Sequence, residues 1–301
     1  MYRLLFCFLF ALSGFCRGEI LVRDDTGQML KLARPAQRIV SLAPHITETL
    51  FAAGAGARIV GAVDYSDYPP AAKKLPRLGS SGRVDIEALL ALKPDLVIAW
   101  QSGNPPALID KLRVLGLPVY VNQSGKLENV ADDLARYGQL AGNPTAGDAA
   151  ASRFRQRFAD LQRRHADKPV VRLFYEVWNQ PLMTIGGPQV ISDVIRLCGG
   201  ENIFGALNTM APTVNTEAVI AACPEAIIAA GMGDARPEWL DDWKKWPALP
   251  AVRQGNLFHI HPDLMHRHTP RLLDGAEQLC GFLEVTRHRR GSVTIQHPTC
   301  P

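Results

Sequence analysis

The sequence predicts an α/β protein of two similar lobes with mainly parallel sheets, joined by one long rigid helix, with a ligand cleft between the lobes. Three observations carry this. Short apolar runs alternate with helical patterns in both halves of the chain. A segment of the first half recurs in the second, and the longest uninterrupted helical pattern lies between the two.

The elements follow in order. After a polar entry at Asp24-Asp25-Thr26-Gly27, residues 38–42 read as a buried strand. Pro44 breaks it, and Thr47 opens a helical pattern through Leu50 and Phe51. Residues 59–63 form a second strand that runs into Asp64-Tyr65-Ser66-Asp67-Tyr68-Pro69-Pro70. Residues 85–92 read as a short helix, 96–100 as a strand, 108–115 as a helix and 119–121 as a strand. Continuous apolar strands alternating with helices imply a parallel sheet covered on both faces.

From Pro144 to about Ala166 the pattern is one long helix, with Ala150, Phe154, Phe158 and Leu161 on one face and charges on the other. Pro144 suits a first helical turn, and Pro169 lies just past the end. The alternation then resumes: strand 170–175, helices 190–197 and 216–222, strand 226–230, and a helix from Pro270 to about Val285. From Thr286 periodicity is lost and a disordered tail is expected. The division expected is therefore a leader at 1–18, an N-terminal lobe at 19–142, a linking helix at 143–168, a C-terminal lobe at 169–285 and the tail at 286–301.

The repeat is the most informative feature. Residues 84–99 match residues 214–229 at an offset of 130, with Glu87/Glu217, Pro94/Pro224 and Ile98/Ile228 among the identical pairs. A weaker echo pairs Gly56, Ile59 and Gly61 with Gly200, Ile203 and Gly205. Two lobes of like topology follow. A helix as their connection is a stiff spacer, and the space between them, near the C-terminal ends of the strands, is the natural ligand cleft.

Composition narrows the function classes. With 301 residues, 47% hydrophobic and 21% charged, the chain is neither disordered nor a disulfide miniprotein. Its net charge of +4 comes from the ends: without Arg3, Arg17, Arg287, Arg289 and Arg290 the body holds 28 basic against 29 acidic residues. That sets nucleic-acid binding aside, which wants a basic face on the folded part. Arg3 followed by the apolar run 4–12 and then small residues reads as an export signal, with cleavage expected after Gly18. Cys16 offers a lipoprotein anchor as the alternative. An exported, periplasmic protein is expected, and Cys198, Cys223, Cys280 and Cys300 remain in a compartment that permits disulfides.

Walker, GxGxxG, GxSxG and HExxH motifs are all absent, so nothing supports an enzyme or a resident cofactor. Glu87 and Glu217 each fall in the first turn of a short helix behind the N-cap residues Asp85 and Asn215. Dipole compensation explains either one alone. Their recurrence, one per lobe, points to carboxylates that dock on basic residues of a two-fold partner. Tyr65 and Trp100 sit at strand ends, where aromatics line a cleft and stack on a planar ligand. The run His259-Ile-His261-Pro-Asp263-Leu-Met-His266-Arg267-His268 lacks diagnostic metal-ligand spacing. No metal site is assigned there. Asp263 and Arg267 read instead as hydrogen-bonding groups of the cleft.

Over residues 36–285 the chain resembles the periplasmic cobalamin-binding proteins of ABC importers. The resemblance rests on Arg38-Ile-Val-Ser-Leu, Tyr65-Ser-Asp-Tyr-Pro-Pro70, Leu92-Lys-Pro-Asp-Leu-Val-Ile-Ala-Trp100, Cys198-Gly-Gly-Glu-Asn-Ile-Phe204 and Pro270-Arg271. It implies a helix-linked two-lobe fold, with Tyr65 and Trp100 as cleft aromatics against a corrinoid and Asp263 and Arg267 as polar ligand contacts. It also implies that Glu87 and Glu217 engage arginines of an inner-membrane ABC permease dimer with its ATPase, and that Cys198 and Cys280 form a disulfide. Cys223 and Cys300 have no counterpart in the family pattern. Where the cobalamin binders place tryptophans this chain has Ser81 and Ala211, with Trp178 and Met210 available to compensate. The expectation is a monomeric, non-enzymatic binding protein for cobalamin or a related corrinoid. Haem, a siderophore or a metal ion on the same scaffold is the alternative.

Overall fold

The structure, a computed structural model, describes residues 19–292 except residues 124, 232 and 234. The expected leader, residues 1–18, lies outside the described residues.

The chain enters as a hairpin, β1 (Ile20–Arg23) paired antiparallel with β2 (Met29–Leu32), where a polar entry was expected. Asp24 closes its turn by accepting from Thr26 and Gln28 N–H. The N-terminal lobe continues through β3 (Ile39–Ser41), α1 (Pro44–Ala52), β4 (Ile59–Ala62), the small hairpin β5 (Gly79–Ser80) and β6 (Arg83–Val84), α2 (Ile86–Ala91), β7 (Leu96–Trp100), α3 (Pro106–Val114), β8 (Val119–Asn122) and α4 (Asn129–Leu140). Pro44 begins α1 rather than merely ending the strand, because a proline at the first helical position forgoes only an unbonded N–H.

The long helix α5 (Pro144–His165) leads to the second lobe: β9 (Val171–Glu176), the hairpin β10 (Trp178–Asn179) and β11 (Leu182–Met183), α6 (Val190–Leu197), β12 (Gly200–Asn202), α7 (Thr216–Ala222), β13 (Ala226–Ala229), α8 (Pro250–Arg253), β14 (Leu257–His259), α9 (Pro262–Met265) and α10 (Leu272–Ser292).

Each lobe is built on a four-stranded parallel sheet, in the order β4-β3-β7-β8 and β12-β9-β13-β14. The two orders correspond strand for strand. The sequence repeat falls on α2–β7 in the first and α7–β13 in the second. Asp85 and Asn215 cap those helices, accepting from Ala88 and Ala218 N–H at 2.9 and 2.8 Å.

α5 does more than span the gap. It packs along α4 so closely that a Cβ on Gly138 would lie 2.7 Å from the Gly147 Cα, so neither position admits a larger residue. Phe154 and Leu161 of α5 belong to one continuous apolar cluster that takes in Ile39 and Leu134 of the first lobe and Val171, Ile191 and Leu283 of the second. A core shared across the lobes is the physical ground for a stiff connection.

The expected end of the last helix requires correction: α10 continues through residues 286–292 rather than ending near Val285, and the rest of the expected tail, residues 293–301, lies outside the described residues. Apolar periodicity fades past Val285, but arginines take over the anchoring. Arg287 donates from Nε to Pro169 O (2.7 Å) and from Nη2 to Cys198 O (2.8 Å), and Arg289 from Nη1 to Gly255 O (2.7 Å). Cys198 and Cys280 are joined by a disulfide, tying α6 to α10. Among the described residues no helix is long and apolar enough to cross a membrane.

Candidate functional site between the lobes

The segments that leave the C-terminal ends of both sheets meet between the lobes. From the first lobe come His45, just after β3, Asp67 and Tyr68 after β4, Trp100 at the end of β7 and Asn122 at the end of β8. From the second come Tyr175 in β9 and the loop 263–271. His45 and His268 face each other with ring centroids 6.1 Å apart. Arg267 bridges the lobes, its Nη1 donating to Asp67 Oδ1 at 2.8 Å, while Nη2 lies 2.9 Å from Asp263 Oδ1. The two polar residues expected from sequence are therefore together, coupled to each other and to a carboxylate 200 positions away. Burial alone would raise the Asp67 pKa, but the hydrogen bond and charge of Arg267 outweigh it and hold the carboxyl below its ordinary value.

The aromatics divide between the lobes. Tyr65 is 77% exposed and held at φ 62°, a left-handed conformation that costs a bulky residue energy and persists only where the surrounding structure imposes it. Trp100 is half-buried, edge-on to His45 with centroids 5.1 Å apart, and fixed by Asn104, whose Oδ1 accepts its backbone N–H at 2.6 Å. Asn104 also donates to Ser81 O (2.8 Å), which brings the β5–β6 turn to the foot of Trp100. Gly103 is required there, because any Cβ would enter the Trp100 ring. On the second lobe Trp178 donates from Nε1 to Gln180 O, and Met210 is exposed. Among the described residues no hydrogen bond or ring contact joins these two to Tyr65 or Trp100.

Sequence reasoning missed several groups. His45, Asp67, His266, His268 and the Glu48–Arg271 pair all take their meaning from contacts between segments far apart in the chain. Arg271 forks onto Glu48, donating from Nε and Nη2 at 2.7 and 2.6 Å, and stacks 3.6 Å over the Tyr68 ring. A hollow of about 320 Å³ flanks this pair, lined by Phe51, Tyr68, Pro69 and Pro270 among others. The histidine loop itself is split up. His261 accepts from Asp263 N–H, His266 meets the Tyr175 hydroxyl at 3.2 Å, and His268 meets His45. Among the described residues no group of three or more His, Cys, Asp or Glu side chains is placed to hold a metal ion.

Burial lowers the His45 pKa to about 3, helped by the charges of His268 and Arg267 and opposed by the bond to Asn122. Burial of the ring likewise lowers His266 and His268 to about 4. All three imidazoles are neutral at pH 7. A folded pKa below the unfolded value of about 6.5 means that the unfolded chain binds protons first as pH falls. Stability is therefore full above about pH 6.5 and is lost through the window down to about 4 and below. Urea midpoints should hold steady from pH 8 to 7 and then fall. His45 alone contributes a slope of about 1.4 kcal/mol per pH unit, and His45→Gln should flatten the profile. A wild-type midpoint unchanged at pH 5 would refute this.

Glu87 and Glu217 are exposed at the starts of α2 and α7, one on each lobe. No ion pair engages either among the described residues.

Two parallel-sheet lobes that bring the loops at their strand ends together over a polar and aromatic crevice define a solute receptor. Comparison with known proteins makes that specific: the chain belongs to the periplasmic binding protein family, whose profile matches residues 39–264. A Vibrio cholerae vitamin B12-binding protein is 39% identical over 263 residues, 87% of this chain and 94% of that protein. The crystal structure of the periplasmic vitamin B12 binding protein BtuF of Vibrio cholerae superposes with a TM-score of 0.77 at 38% identity, covering 84% of this chain and 98% of that one. The periplasmic haem-binding protein RhuT from Roseiflexus sp. RS-1, in its apo form, gives a TM-score of 0.70 at 25% identity over 83% of this chain and 99% of that one.

Proposed function

We propose that this chain is a periplasmic binding protein that captures cobalamin or a related corrinoid between its lobes and delivers it to an inner-membrane ABC permease dimer with its ATPase. It is a binding protein rather than an enzyme, and it carries no resident cofactor. It acts as a free monomer after removal of its leader, with a lipid anchor at Cys16 as the alternative, and it has no nucleic-acid partner.

The observation that carries this reading is Tyr65. A tyrosine that is 77% exposed in a left-handed conformation at the end of a sheet strand is held for a ligand. Tyr65 and Trp100 border one face of a large planar cargo, and Trp178 and Met210 meet it from the other lobe. Asp263 and Arg267 hydrogen-bond its amide-rich edge, Arg267 exchanging part of its bond to Asp67 for the ligand. The matches to vitamin B12-binding proteins support the corrinoid.

A haem-like ligand is the second reading, favoured by one observation: neutral imidazoles at His266 and His268 are suited to bind a tetrapyrrole metal. Titrating the purified mature protein with cyanocobalamin, cobinamide and haemin, read by tryptophan fluorescence and the ligand's visible band, separates the two. Saturable one-to-one corrinoid binding at micromolar affinity or better is expected, with Trp100→Ala weakening it at least tenfold. Saturation by haemin alone would overturn the corrinoid assignment.

A further inference from the structure

Glu176 closes β9 as a buried carboxyl, 2% exposed. Trp243 Nε1 donates to its Oε2 at 2.8 Å. Among the described residues no hydrogen bond reaches the other oxygen, Oε1, and no cation pairs with the group. The carboxyl gives onto a hollow of about 170 Å³. One wall is Trp239, Trp243 and Trp246, from the 3₁₀-helical segment Glu238–Lys245 and the residue after it. The other includes Asn179 of the β10–β11 hairpin and Thr216 at the start of α7. Neither Tyr65, Trp100 and Trp178 nor Asp263 and Arg267 line it, so it is separate from the crevice between the lobes.

An acceptor for the Trp243 indole need not be an acid, since a glutamine oxygen would serve. A carboxyl in this place is costly to ionise. Burial raises its pKa to about 8, with the Trp243 bond opposing and the charge of Asp242 assisting. Asp242 and Lys245, the other charged groups that line the hollow, are bonded to each other at 2.8 Å. The acid therefore lacks the one thing that would let it ionise, a cation of its own.

We infer that this hollow is a second binding site, for a small primary alkylammonium that donates to Glu176 Oε1 and lays its charge and short chain against the tryptophans. Indole faces are the best aromatic partners of a cation. The Trp243 and Trp246 rings stand at 49° with centroids 5.5 Å apart, a corner rather than a stack. Trp239 and Trp246 are half-buried beside the hollow, whose size suits a chain of a few carbons. Binding exchanges one cation for another. The O–H bond of the acid breaks, its proton passes to the solvent buffer, and the ammonium takes its place beside the carboxylate. Since the acid form predominates at pH 7, nearly one proton leaves per ammonium bound. The site rests on neither the corrinoid nor the docking reading.

The test is calorimetric titration of the full mature protein with propylamine at pH 7, in two buffers of different ionisation heat. Saturable one-to-one binding at millimolar affinity or better is expected, with nearly one proton released. Affinity should rise about tenfold from pH 6 to 7, as the carboxyl gives up its proton more readily. The uncharged 1-propanol should not saturate the site, and saturating cyanocobalamin should not displace the amine. Glu176→Gln keeps an acceptor for Trp243, so its thermal midpoint should stay within a few degrees of wild type while amine binding falls at least tenfold. The proton count is read on the wild type and decides the matter even if the variant fails to fold. No saturation at pH 8, binding without proton release, equal binding of 1-propanol, displacement by cyanocobalamin, or unchanged binding to a folded Glu176→Gln would each overturn the inference.

Discussion

A chain carrying Glu87→Ala and Glu217→Ala together should bind its ligand within about twofold of wild type and yet fail to stimulate ATP hydrolysis by the reconstituted permease. The separation follows from where the two residues stand. Each is exposed in the first turn of a short helix whose cap is already supplied by Asp85 or Asn215, and no ion pair holds either among the described residues. Their intramolecular task is thus limited to the helix dipole, about 0.3–1 kcal/mol apiece, and the thermal midpoint should drop by only a few degrees. The sheets that carry the two helices have the same strand order, so the carboxylates occupy equivalent places on the two lobes. That is the arrangement a permease dimer with a basic side chain on each half would meet. Charge pairs across such a rim set recognition and association rate, so each single variant should retain part of the stimulation and the double none. Loss of ligand binding in the double variant would sink the docking role, because it would place the glutamates in service of the cleft.

Much of the fold was legible in the sequence because parallel strands buried on both faces must be continuous apolar runs, and β7 and α6 were bounded to the residue. The helix α4 is not legible in the pattern although it buries Val130, Leu134 and Tyr137. Its apolar face is interrupted by the buried Asp133 and by Gly138, which is there for the close approach of α5 and is a poor helix former. β14 is three half-buried residues whose place is set by pairing with β13, not by a pattern of its own. At the site the division is similar. Tyr65, Trp100, Asp263 and Arg267 could be picked out because a strand end or a polar loop marks them locally. His45 could not, since nothing in Pro44-His45-Ile46 announces that the ring will meet Trp100 and His268. Asp67 lies in the polar segment after β4, but its contact with Arg267 spans 200 residues. The departure at the tail has the same origin: guanidinium groups bonded to distant carbonyls hold residues 286–290 helical where no apolar stripe remains.

The strongest of these long-range contacts should also be the most costly to remove. Arg271→Ala should destabilise the protein by about 3–5 kcal/mol, the usual cost of stranding one partner of a buried ion pair. For a chain of this size that lowers the thermal midpoint by on the order of 10 °C. Glu48 is 2% exposed within α1 of the first lobe. Its two oxygens take both arms of Arg271, which stands just before α10 of the second lobe and is covered by Tyr68. Without the guanidinium the carboxylate is left dry and uncompensated. Adding Glu48→Gln to Arg271→Ala should therefore recover part of the loss, a result that mere loss of packing would not give. The pair fastens the lobes beside the crevice, four residues from Arg267 and three from His268. Arg271→Ala should accordingly weaken ligand binding as well, by letting the two walls of the cleft move apart, and differential scanning calorimetry alongside the corrinoid titration reads both effects. A midpoint lowered by less than 2 °C, or a double variant no better than the single, would mean that the shared apolar core and α5 hold the lobes without this pair.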